Sequence, residues 1–377
     1  MRYFLIAGET SGDIHGARLM HWLKHYDEQA QFMFFGGDHM AAQGGTLIKH
    51  YKDTAFMGAT DVIKNLGKIR ENFELARTKL LEFKPDVVIL IDYPGFNLRF
   101  AKTAKQLGFR TFYYISPKIW AWNKKRAHKI KRYIDKMFVI FPFEIDFYRK
   151  YDYHVEYLGN PTVDEVFEYK QTPFNATGFY THNGLNPEKL IIAMLPGSRQ
   201  HEIKHILPHY VETALKMASP EYQFVISGMS HLPKELYRPA FDAKIPVVWD
   251  ASYDLLRIAH AAVVTSGTAT LETALFGVPQ VVTYKTDWFQ YAIGSLIVPV
   301  KYFSLVNIIL EREAVKELLQ KNMTANIIKH LGKILNDSQH YRRILTGYKE
   351  LAQKLGKPGA AQRTARRIVQ LVGRNED

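Results

Sequence analysis

The chain has no cysteine among its 377 residues. This absence excludes disulfide bonds, cysteine-ligated iron–sulfur clusters and thiol catalysis, and it fits a cytoplasmic location. Long apolar runs are also missing, since no stretch approaches the ~20 residues that a membrane-spanning helix needs. The opening MRYFLIAGETSGD has too short an apolar run for a secretory signal and enters a glycine-rich turn. We therefore expect a soluble or membrane-surface protein whose first residues form a strand.

Three ligand-binding motifs are absent as well. The chain contains neither GxGxxG nor GxxxxGK(S/T), so dinucleotide-dependent hydride transfer and P-loop chemistry lose their main support. It also has no Asp-x-Asp pair to hold a divalent ion on a nucleotide diphosphate. The sequence therefore predicts no cofactor and no metal, and it favours a transferase that neutralises a diphosphate with arginine and backbone dipoles.

Acidic residues are scarce relative to basic ones: 37 Asp and Glu stand against 50 Lys and Arg, giving a formal net charge of +13. This excess predicts a negative partner, either nucleic acid, an anionic membrane or a phosphorylated substrate. Basic residues concentrate between Lys118 and Arg132, with two tryptophans among them and Tyr133 after them. Such a mixture can bind nucleic acid, anionic lipid headgroups or a sugar phosphate, or it can be a solvated helix face.

Strand-like apolar runs alternate with helical patterns, which predicts an α/β fold with parallel sheets covered by helices. The runs form two series, so we expect two doubly wound domains with a ligand cleft at the carboxyl ends of the strands. We predict a first domain at 1–165, a linker at 166–189, a second domain at 190–355, and a helix at 356–377 that packs on the first domain or on a partner subunit. The predicted strands are Tyr3–Ala7, Gln31–Phe35, Val87–Ile91, Thr111–Ile115, Met137–Phe141, Leu190–Leu195, Gln223–Ser227, Pro246–Trp249, Ala261–Thr265 and Gln280–Tyr284.

Ser266, Gly267 and Thr268 end a buried strand-like run and begin a helix. A helix N-terminus with hydroxyl side chains and unpaired N–H groups is an anion site, most naturally for phosphate. Thr270 and Glu272 follow in the first turns, where a carboxylate can accept hydrogen bonds from ribose hydroxyls. The stretch therefore suggests a nucleotide site, and the alternative is an ordinary capped α/β turn.

Gly197, Ser198 and Arg199 repeat the pattern of strand, turn and helix. A guanidinium beside helix-terminal N–H groups suits a leaving diphosphate. Glu202, three residues further on, either orients Arg199 or completes a capping box.

Polar residues also follow two strands of the first series. Glu9, Ser11 and Asp13 come after the first strand, and Asp92 comes after the strand that ends at Ile91. Partial burial at that edge would raise the pKa of Asp92 toward that of a useful general base, and its alternative role is to cap the following helix. Asn97 is a candidate for a substrate hydrogen bond.

An apolar stripe at helical spacing contains basic residues between its members, which are Met57, Val62, Ile63, Leu66 and Ile69. Most such stripes pack into a core. A basic amphipathic segment at the mouth of a cleft can instead enter a bilayer surface.

Six motifs occur in order between residue 7 and about residue 320: AGETSGD, IDYPGFN, SPKIWAW, LPGSRQHE, SGTATLETAL and VNIILEREAVKELLQ. Together they resemble the motifs of the lipid-A-disaccharide synthase family. The resemblance implies a GT-B-type glycosyltransferase with two Rossmann-like domains facing a central cleft. Such an enzyme transfers 2,3-diacylglucosamine from its UDP ester to the 6-hydroxyl of lipid X, which is 2,3-diacylglucosamine 1-phosphate. It forms the β-1,6-linked disaccharide of lipid A and releases UDP.

The resemblance also implies roles for the candidate residues. The first domain would bind the acceptor and face the membrane, with Asp92 as the leading base and with Glu9, Ser11 and Asp13 in an acceptor-side loop. The second domain would bind UDP-sugar, and Asn307 would face the diphosphate or the sugar. One departure is Gly95, because relatives often have a second aspartate there. If that carboxylate were the base, this protein would lack it.

The implied partners are UDP-2,3-diacylglucosamine, lipid X and the anionic surface of the inner membrane, reached from its cytoplasmic face, with no nucleic acid. A homodimer is left open. One alternative is another GT-B enzyme, such as a UDP-N-acetylglucosamine 2-epimerase. A second alternative is a nucleic-acid-binding protein that uses Lys118–Tyr133, which leaves both phosphate-binding turns without a role.

Overall fold

The computed structural model describes residues 1–53, 66–122, 126–285 and 301–373. The chain divides into two compact units, one formed by Met1–Pro161 with Lys357–Asp377 and the other by Thr162–Gly356. Each unit contains a parallel sheet. The α/β fold predicted from alternating strands and helices is confirmed.

The first unit has these elements before the unit boundary: β1 (Arg2–Ala7), α1 (Thr10–Tyr26), β2 (Gln31–Gly36), α2 (Asp38–Ala41), β3 (Thr46–His50), α3 (Leu66–Phe83), β4 (Val87–Ile91), α4 (Pro94–Gln106), β5 (Thr111–Tyr114), α5 (Ile119–Trp122), α6 (Arg126–Tyr133), β6 (Lys136–Val139), α7 (Phe143–Arg149) and β7 (Glu156–Tyr157). Within the described residues its seven strands have the order β3-β2-β1-β4-β5-β6-β7. Strand β4, with sequence VVILI, is buried throughout. Apolar residues on both faces are expected for a parallel strand covered by helices on each side.

The second unit has the elements α8 (Pro161–Gln171), α9 (Ala176–His182), β8 (Leu190–Leu195), α10 (Gln200–Lys216), β9 (Tyr222–Gly228), α11 (Arg238–Asp242), β10 (Val247–Trp249), α12 (Ser252–Ile258), β11 (Ala259–Thr265), α13 (Thr268–Phe276), β12 (Gln280–Tyr284), α14 (Leu305–Leu310), β13 (Lys316–Leu319), α15 (Met323–Asn336) and α16 (Ser338–Leu355). In the part of this unit that the structure describes, the six strands have the order β10-β9-β8-β11-β12-β13. The predicted strands end with Gln280–Tyr284, but the sheet contains a later strand, because β13 pairs with β12. This short edge strand begins with Lys-Glu, so its sequence does not read as a buried strand.

The stretch 166–189 differs from the predicted linker. It contains most of α8 and all of α9, and it belongs to the second unit. Asn175 reads as a loop residue, but it caps α9 because its Oδ1 accepts a hydrogen bond from the Gly178 N–H at 2.9 Å. A cap and a loop use the same residue types, so composition alone did not separate them.

The strand order reverses at one point in each sheet, between β1 and β4 in the first and between β8 and β11 in the second. Ala7 pairs with Ile91 at the first point, and Leu195 pairs with Val264 at the second. The loops that follow these neighbouring strands therefore leave each sheet side by side. In doubly wound sheets ligands bind at this position.

A last helix, α17 (Ala360–Gly373), packs on α1 in the first unit. Its apolar side joins the core of that unit through Ala365 and Ile368. Its arginines also contact the unit: Arg367 pairs with Glu156 at 2.8 Å, and the Arg363 Nε donates to the Leu158 carbonyl at 2.7 Å. Among the helices that the structure describes, none is long and apolar enough to cross a bilayer.

Candidate active site

Asp92 follows β4 directly, at the point where the first sheet reverses its strand order. Asp92 and Tyr93 both have left-handed backbone conformations, with φ of 46° and 47°. Such angles are costly for residues with a β-carbon, so neighbouring groups must hold the turn. Asn97 Nδ2 donates to the Asp92 carbonyl at 2.8 Å, and the Tyr113 hydroxyl donates to the same carbonyl. These bonds fix the backbone from which the Asp92 carboxylate projects.

Burial raises the pKa of Asp92 to about 6. The Glu9 carboxylate contributes to this rise in pKa, whereas the Lys118 ammonium and the Tyr93 backbone N–H oppose it. A general base is most effective when its pKa lies near the working pH. Asp92 is therefore mostly ionised at neutral pH and is a stronger base than an ordinary aspartate.

Gly8 allows the loop after β1 to approach the loop after β4. A β-carbon at Gly8 would lie 2.3 Å from Cδ1 of Tyr93, a distance that two carbon atoms cannot adopt. The Tyr93 ring in turn stacks on Phe96, with centroids 5.7 Å apart. The AGETSGD and IDYPGFN motifs therefore meet at this glycine. Glu9 is half-buried and Ser11 is exposed in the first of these loops.

Asp13 does not face the acceptor side, which corrects its prediction as a site residue. The side chain is fully buried. Its carboxylate accepts hydrogen bonds from the backbone N–H groups of Gly37 at 2.7 Å, His39 at 3.0 Å and Met40 at 3.0 Å. Asp13 therefore joins α1 to the start of α2, with its carboxylate committed to backbone N–H groups.

We expect Asp13→Asn to lower the melting temperature by several degrees, since an amide replaces a charged acceptor of three N–H groups and such hydrogen bonds each contribute about 1.5–3 kcal/mol. The kcat of the folded enzyme should stay close to that of the parent. Thermal unfolding and initial rates measure the two effects, with Asp38→Asn in the same region as the control because that side chain is 81% exposed. If Asp13→Asn had the melting temperature of the parent but no activity, Asp13 would again be a catalytic candidate.

Asn97 is also fully buried, which corrects its prediction as a substrate contact. Besides the Asp92 carbonyl, its Nδ2 approaches the carbonyls of Ile6 at 3.3 Å and Ile91 at 3.2 Å. These carbonyls lie at the ends of β1 and β4. Asn97 is therefore a positioning residue beneath the turn at Asp92 and Tyr93.

Glu144 is a buried residue that the sequence did not indicate. Burial raises its pKa to about 7. Its carboxyl group accepts hydrogen bonds from the Ser116 hydroxyl and from the backbone N–H groups of Phe141 at 2.9 Å and Ile140 at 3.2 Å. Glu144 thus fixes the start of the SPKIWAW motif, which carries Lys118. No sequence signal distinguishes this glutamate from an exposed one on a short helix.

In the second unit, Glu202 shapes the turn at Gly197, Ser198 and Arg199. Its Oε2 accepts the N–H groups of Ser198 at 3.2 Å and Arg199 at 3.3 Å, and its Oε1 lies 3.5 Å from the Arg199 guanidinium. Gly197 has a φ of 114°, and a β-carbon there would lie 2.4 Å from Glu202 Oε2. Glu202 therefore both completes the capping box and orients Arg199. The Arg199 side chain is 75% exposed, which leaves it accessible to an anion.

The turn at Ser266, Gly267 and Thr268 follows β11, the neighbour of β8. The Ser266 hydroxyl donates to the Phe303 carbonyl at 2.8 Å, so this side chain anchors the turn to the segment before α14. Thr270 is fully buried, and its hydroxyl donates to the Gly267 carbonyl at 2.8 Å, which corrects its prediction as a ligand contact. Gly267 and Thr268 remain exposed at the start of α13.

Glu272 lies on α13, one turn beyond Thr268. Burial and, to a smaller extent, the Glu165 carboxylate raise its pKa to about 7, while a hydrogen bond with Tyr253 opposes the rise. Near neutral pH the group is therefore divided between its ionised and protonated forms. In either form an oxygen can accept a hydrogen bond, as a ribose hydroxyl requires.

Asn307 does not face a ligand, which corrects its implied role. The side chain is fully buried. Its Oδ1 accepts the N–H groups of Ala314 at 2.8 Å and Val315 at 3.0 Å, and its Nδ2 donates to the Val315 carbonyl at 2.9 Å and to Glu317 at 2.8 Å. Asn307 instead joins α14 to the segment that leads into β13.

Most of the apolar stripe lies outside the residues that the structure describes. Met57, Val62 and Ile63 lie outside the described residues, Leu66 is the first residue of α3, and Ile69 is half-buried on that helix. Whether the stripe meets a membrane stays a prediction.

A family model described as Lipid-A-disaccharide synthetase matches residues 3–368. The chain is 34% identical to the lipid-A-disaccharide synthase of Geobacter metallireducens over 379 residues, covering 99% of this chain and 98% of that protein. It is 36% identical to the lipid-A-disaccharide synthase of Myxococcus xanthus over 377 residues, covering 98% and 97%.

Solved structures with a similar fold include a UDP-GlcNAc 2-epimerase from Neisseria meningitidis bound to UDP-GlcNAc, with a TM-score of 0.70, 14% identity and coverage of 98% of this chain and 100% of that one. A putative UDP-N-acetylglucosamine 2-epimerase from Listeria monocytogenes has a TM-score of 0.67, 14% identity and coverage of 99% and 96%. At such low identity these structures show the fold alone, and the two Rossmann-like units are of the GT-B type. The sequence match over nearly the whole length decides the family: the chain belongs to the lipid-A-disaccharide synthetases.

Proposed function

We propose that Asp92 is the general base for the glycosyl transfer that this chain, as a lipid-A-disaccharide synthase, catalyses. The acceptor is the 6-hydroxyl of lipid X, and the donor is UDP-2,3-diacylglucosamine. As the acceptor oxygen bonds to the anomeric carbon, the bond from that carbon to the diphosphate breaks. The hydroxyl proton goes to Asp92, and the electron pair leaves with UDP. Attack on the side opposite the leaving group inverts the anomeric centre and gives the β-1,6 linkage.

The observation that carries this proposal is the Asp92 turn. Its backbone is held by Asn97 and Tyr113, and burial raises the carboxyl pKa to about 6. Glu9 is the second carboxylate at this position, and it supports the base electrostatically.

For the donor we propose a site on the second unit. Loops after the adjacent strands β8 and β11 provide the Arg199 guanidinium, the Gly197 and Ser198 turn, and the backbone N–H groups at Gly267 and Thr268. Together these groups supply positive charge and hydrogen-bond donors to a diphosphate without a metal ion. Ser266 anchors this turn, and Glu272 accepts hydrogen bonds from the ribose.

Substrate dependence tests the function. Purified protein should release UDP from UDP-2,3-diacylglucosamine only when lipid X is present, and the disaccharide should appear in equal amount. An epimerase would act on the UDP-sugar alone. Turnover of the donor at the same rate without lipid X would contradict the transferase assignment.

For localisation we propose peripheral binding at the cytoplasmic face of the inner membrane, through the apolar stripe and nearby basic residues. Replacing Val62, Ile63, Leu66 and Ile69 with serine is expected to move most of the protein from the membrane fraction into solution, because each change removes apolar area that enters the bilayer surface. Sedimentation with anionic vesicles measures this shift. Unchanged partitioning would contradict the assignment, and a homodimer remains a separate prediction.

A further inference from the structure

A basic groove of about 640 Å³ lies beside the catalytic turn, within the first unit. We define the α4/α6 groove by its lining residues, which are Pro94, Gly95, Leu98, Arg99, Lys102, Arg126, His128, Lys129, Arg132 and Tyr133. No Asp or Glu is among the described residues that line the groove. Five are lysine or arginine, so the groove concentrates positive charge between two helices.

The cations come from both walls of the groove. Arg99 and Lys102 lie one helical turn apart on α4, and Lys129 and Arg132 lie one turn apart on α6. All four side chains are exposed. Like charges gathered in this way repel one another, and a bound dianion relieves that repulsion. Arginine and lysine together are typical of phosphate sites, since a guanidinium binds two oxygens and an ammonium adds a point charge.

The lining of the groove begins two residues after Asp92, the proposed base. Pro94 and Gly95 form the first turn of α4 and follow Asp92 and Tyr93 directly. Gly95 is exposed, and a β-carbon there would meet nothing within 4 Å. The groove is therefore open at Gly95, three residues after Asp92. Leu98 contributes an apolar wall that suits the carbon face of a sugar ring.

We propose that the α4/α6 groove binds the phosphate of the acceptor lipid, a sugar 1-phosphomonoester. This inference rests on the proposed function. The 6-hydroxyl and the 1-phosphate lie at opposite ends of one pyranose ring, so an acceptor whose hydroxyl meets Asp92 has its phosphate one ring away. The groove lies beside the turn that carries Asp92, and its lysine and arginine residues supply the countercharge. A flat basic face would serve a membrane surface equally well, but a concave groove that begins two residues after Asp92 favours the phosphate of a single sugar.

The variant Arg99→Gln/Lys102→Gln tests the proposal. We expect its KM for lipid X to rise at least about tenfold, with little change in kcat or in the KM for the UDP-sugar. With an acceptor that lacks the phosphate, parent and variant should have the same KM. The control is Lys105→Gln/Lys131→Gln, which also removes two positive charges, one from α4 and one from α6, at residues outside the groove lining. It should leave every KM near that of the parent.

A binding measurement keeps this test independent of catalysis. Titration calorimetry with glucosamine 1-phosphate should show binding to the parent protein that the groove variant loses, and glucosamine should bind to neither. Retained binding of the sugar phosphate by the variant would overturn the proposal. So would an equal loss of activity with both acceptors, or a loss confined to binding of anionic vesicles, because each would assign the groove to the membrane surface. If the parent binds glucosamine 1-phosphate but does not transfer the sugar, the proposed function is contradicted, whereas phosphate binding in the α4/α6 groove is supported.

Discussion

Asp92→Asn is expected to lower kcat/KM by roughly 10²- to 10⁴-fold, the contribution of a positioned general base. Asparagine has nearly the same shape, and the bonds that hold the turn go to the backbone carbonyl of residue 92 rather than to its side chain. The affinity for UDP should therefore change little. Initial rates with both substrates and calorimetric titration with UDP measure the two quantities. If this variant kept most of the parent's activity, Glu9 rather than Asp92 would be assigned as the base.

The pH dependence should identify the group that is removed. Because burial raises the Asp92 pKa to about 6, kcat/KM of the parent should fall as the pH drops below that value. Glu9→Gln serves as a control variant: it removes a charge that raises the Asp92 pKa, so the acidic limb should move to lower pH while activity at neutral pH is kept. An acidic limb unaffected by Glu9→Gln would mean that another group titrates.

The pH dependence of folding stability provides a second test of the raised Asp92 pKa. Asp92 has a higher pKa in the folded protein than in the unfolded chain, so the folded state binds the extra proton between about pH 4 and pH 6. The ionised form is therefore the destabilised one, and its cost is complete above that window. Asp92→Asn should raise the melting temperature at pH 8, and the gain should vanish near pH 4. A variant that is less stable at every pH would instead indicate a structural carboxylate.

Arg199→Ala is expected to raise the Kd for UDP by roughly 10- to 100-fold, because hydrogen bonds to charged groups contribute about 1.5–3 kcal/mol and each ~1.4 kcal/mol is a factor of ten. The side chain is 75% exposed, and without it Glu202 still accepts hydrogen bonds from the backbone N–H groups of residues 198 and 199. The fold should be intact. Calorimetric titration with UDP gives the affinity directly.

Two further variants sharpen this result. Arg199→Lys retains the charge but loses the bidentate geometry, so its affinity should lie between those of the parent and Arg199→Ala. Arg238→Ala removes an arginine that is 80% exposed elsewhere in the same unit, and it should leave UDP binding unchanged. If Arg199→Ala bound UDP as tightly as the parent, the Arg199 guanidinium would not be part of the donor site.

The sequence predicted the fold where strands were buried and apolar. Runs such as VVILI in β4 signal a covered parallel strand. The strand β13, with sequence KELL, carries no such signal because it is the last of the described strands on its side of the sheet. The capped helix α9 was likewise read as part of a linker. Both differences arise where the local composition is shared by two kinds of structure.

The candidate residues were predicted at the correct ends of strands, but the directions of their side chains were not. Asp13, Asn97, Thr270 and Asn307 all lie near the loops expected to bind substrate, and each instead binds backbone groups. A carboxylate or amide that can recognise a substrate can equally satisfy a buried N–H or C=O. Only the three-dimensional structure shows which partner it has. The α4/α6 groove was missed in part for a related reason, since Arg99 and Lys102 join α6 only in the folded unit.

The contact between α17 and α1 has a consequence for biosynthesis. Residues 357–373 are made after every residue of the second unit, yet Ala365 and Ile368 belong to the core of the first. While the ribosome is translating the second unit, α1 has an uncovered apolar side, and emerging domains with such surfaces are prone to aggregate. The half of the molecule that is synthesised first is therefore the half that finishes folding last.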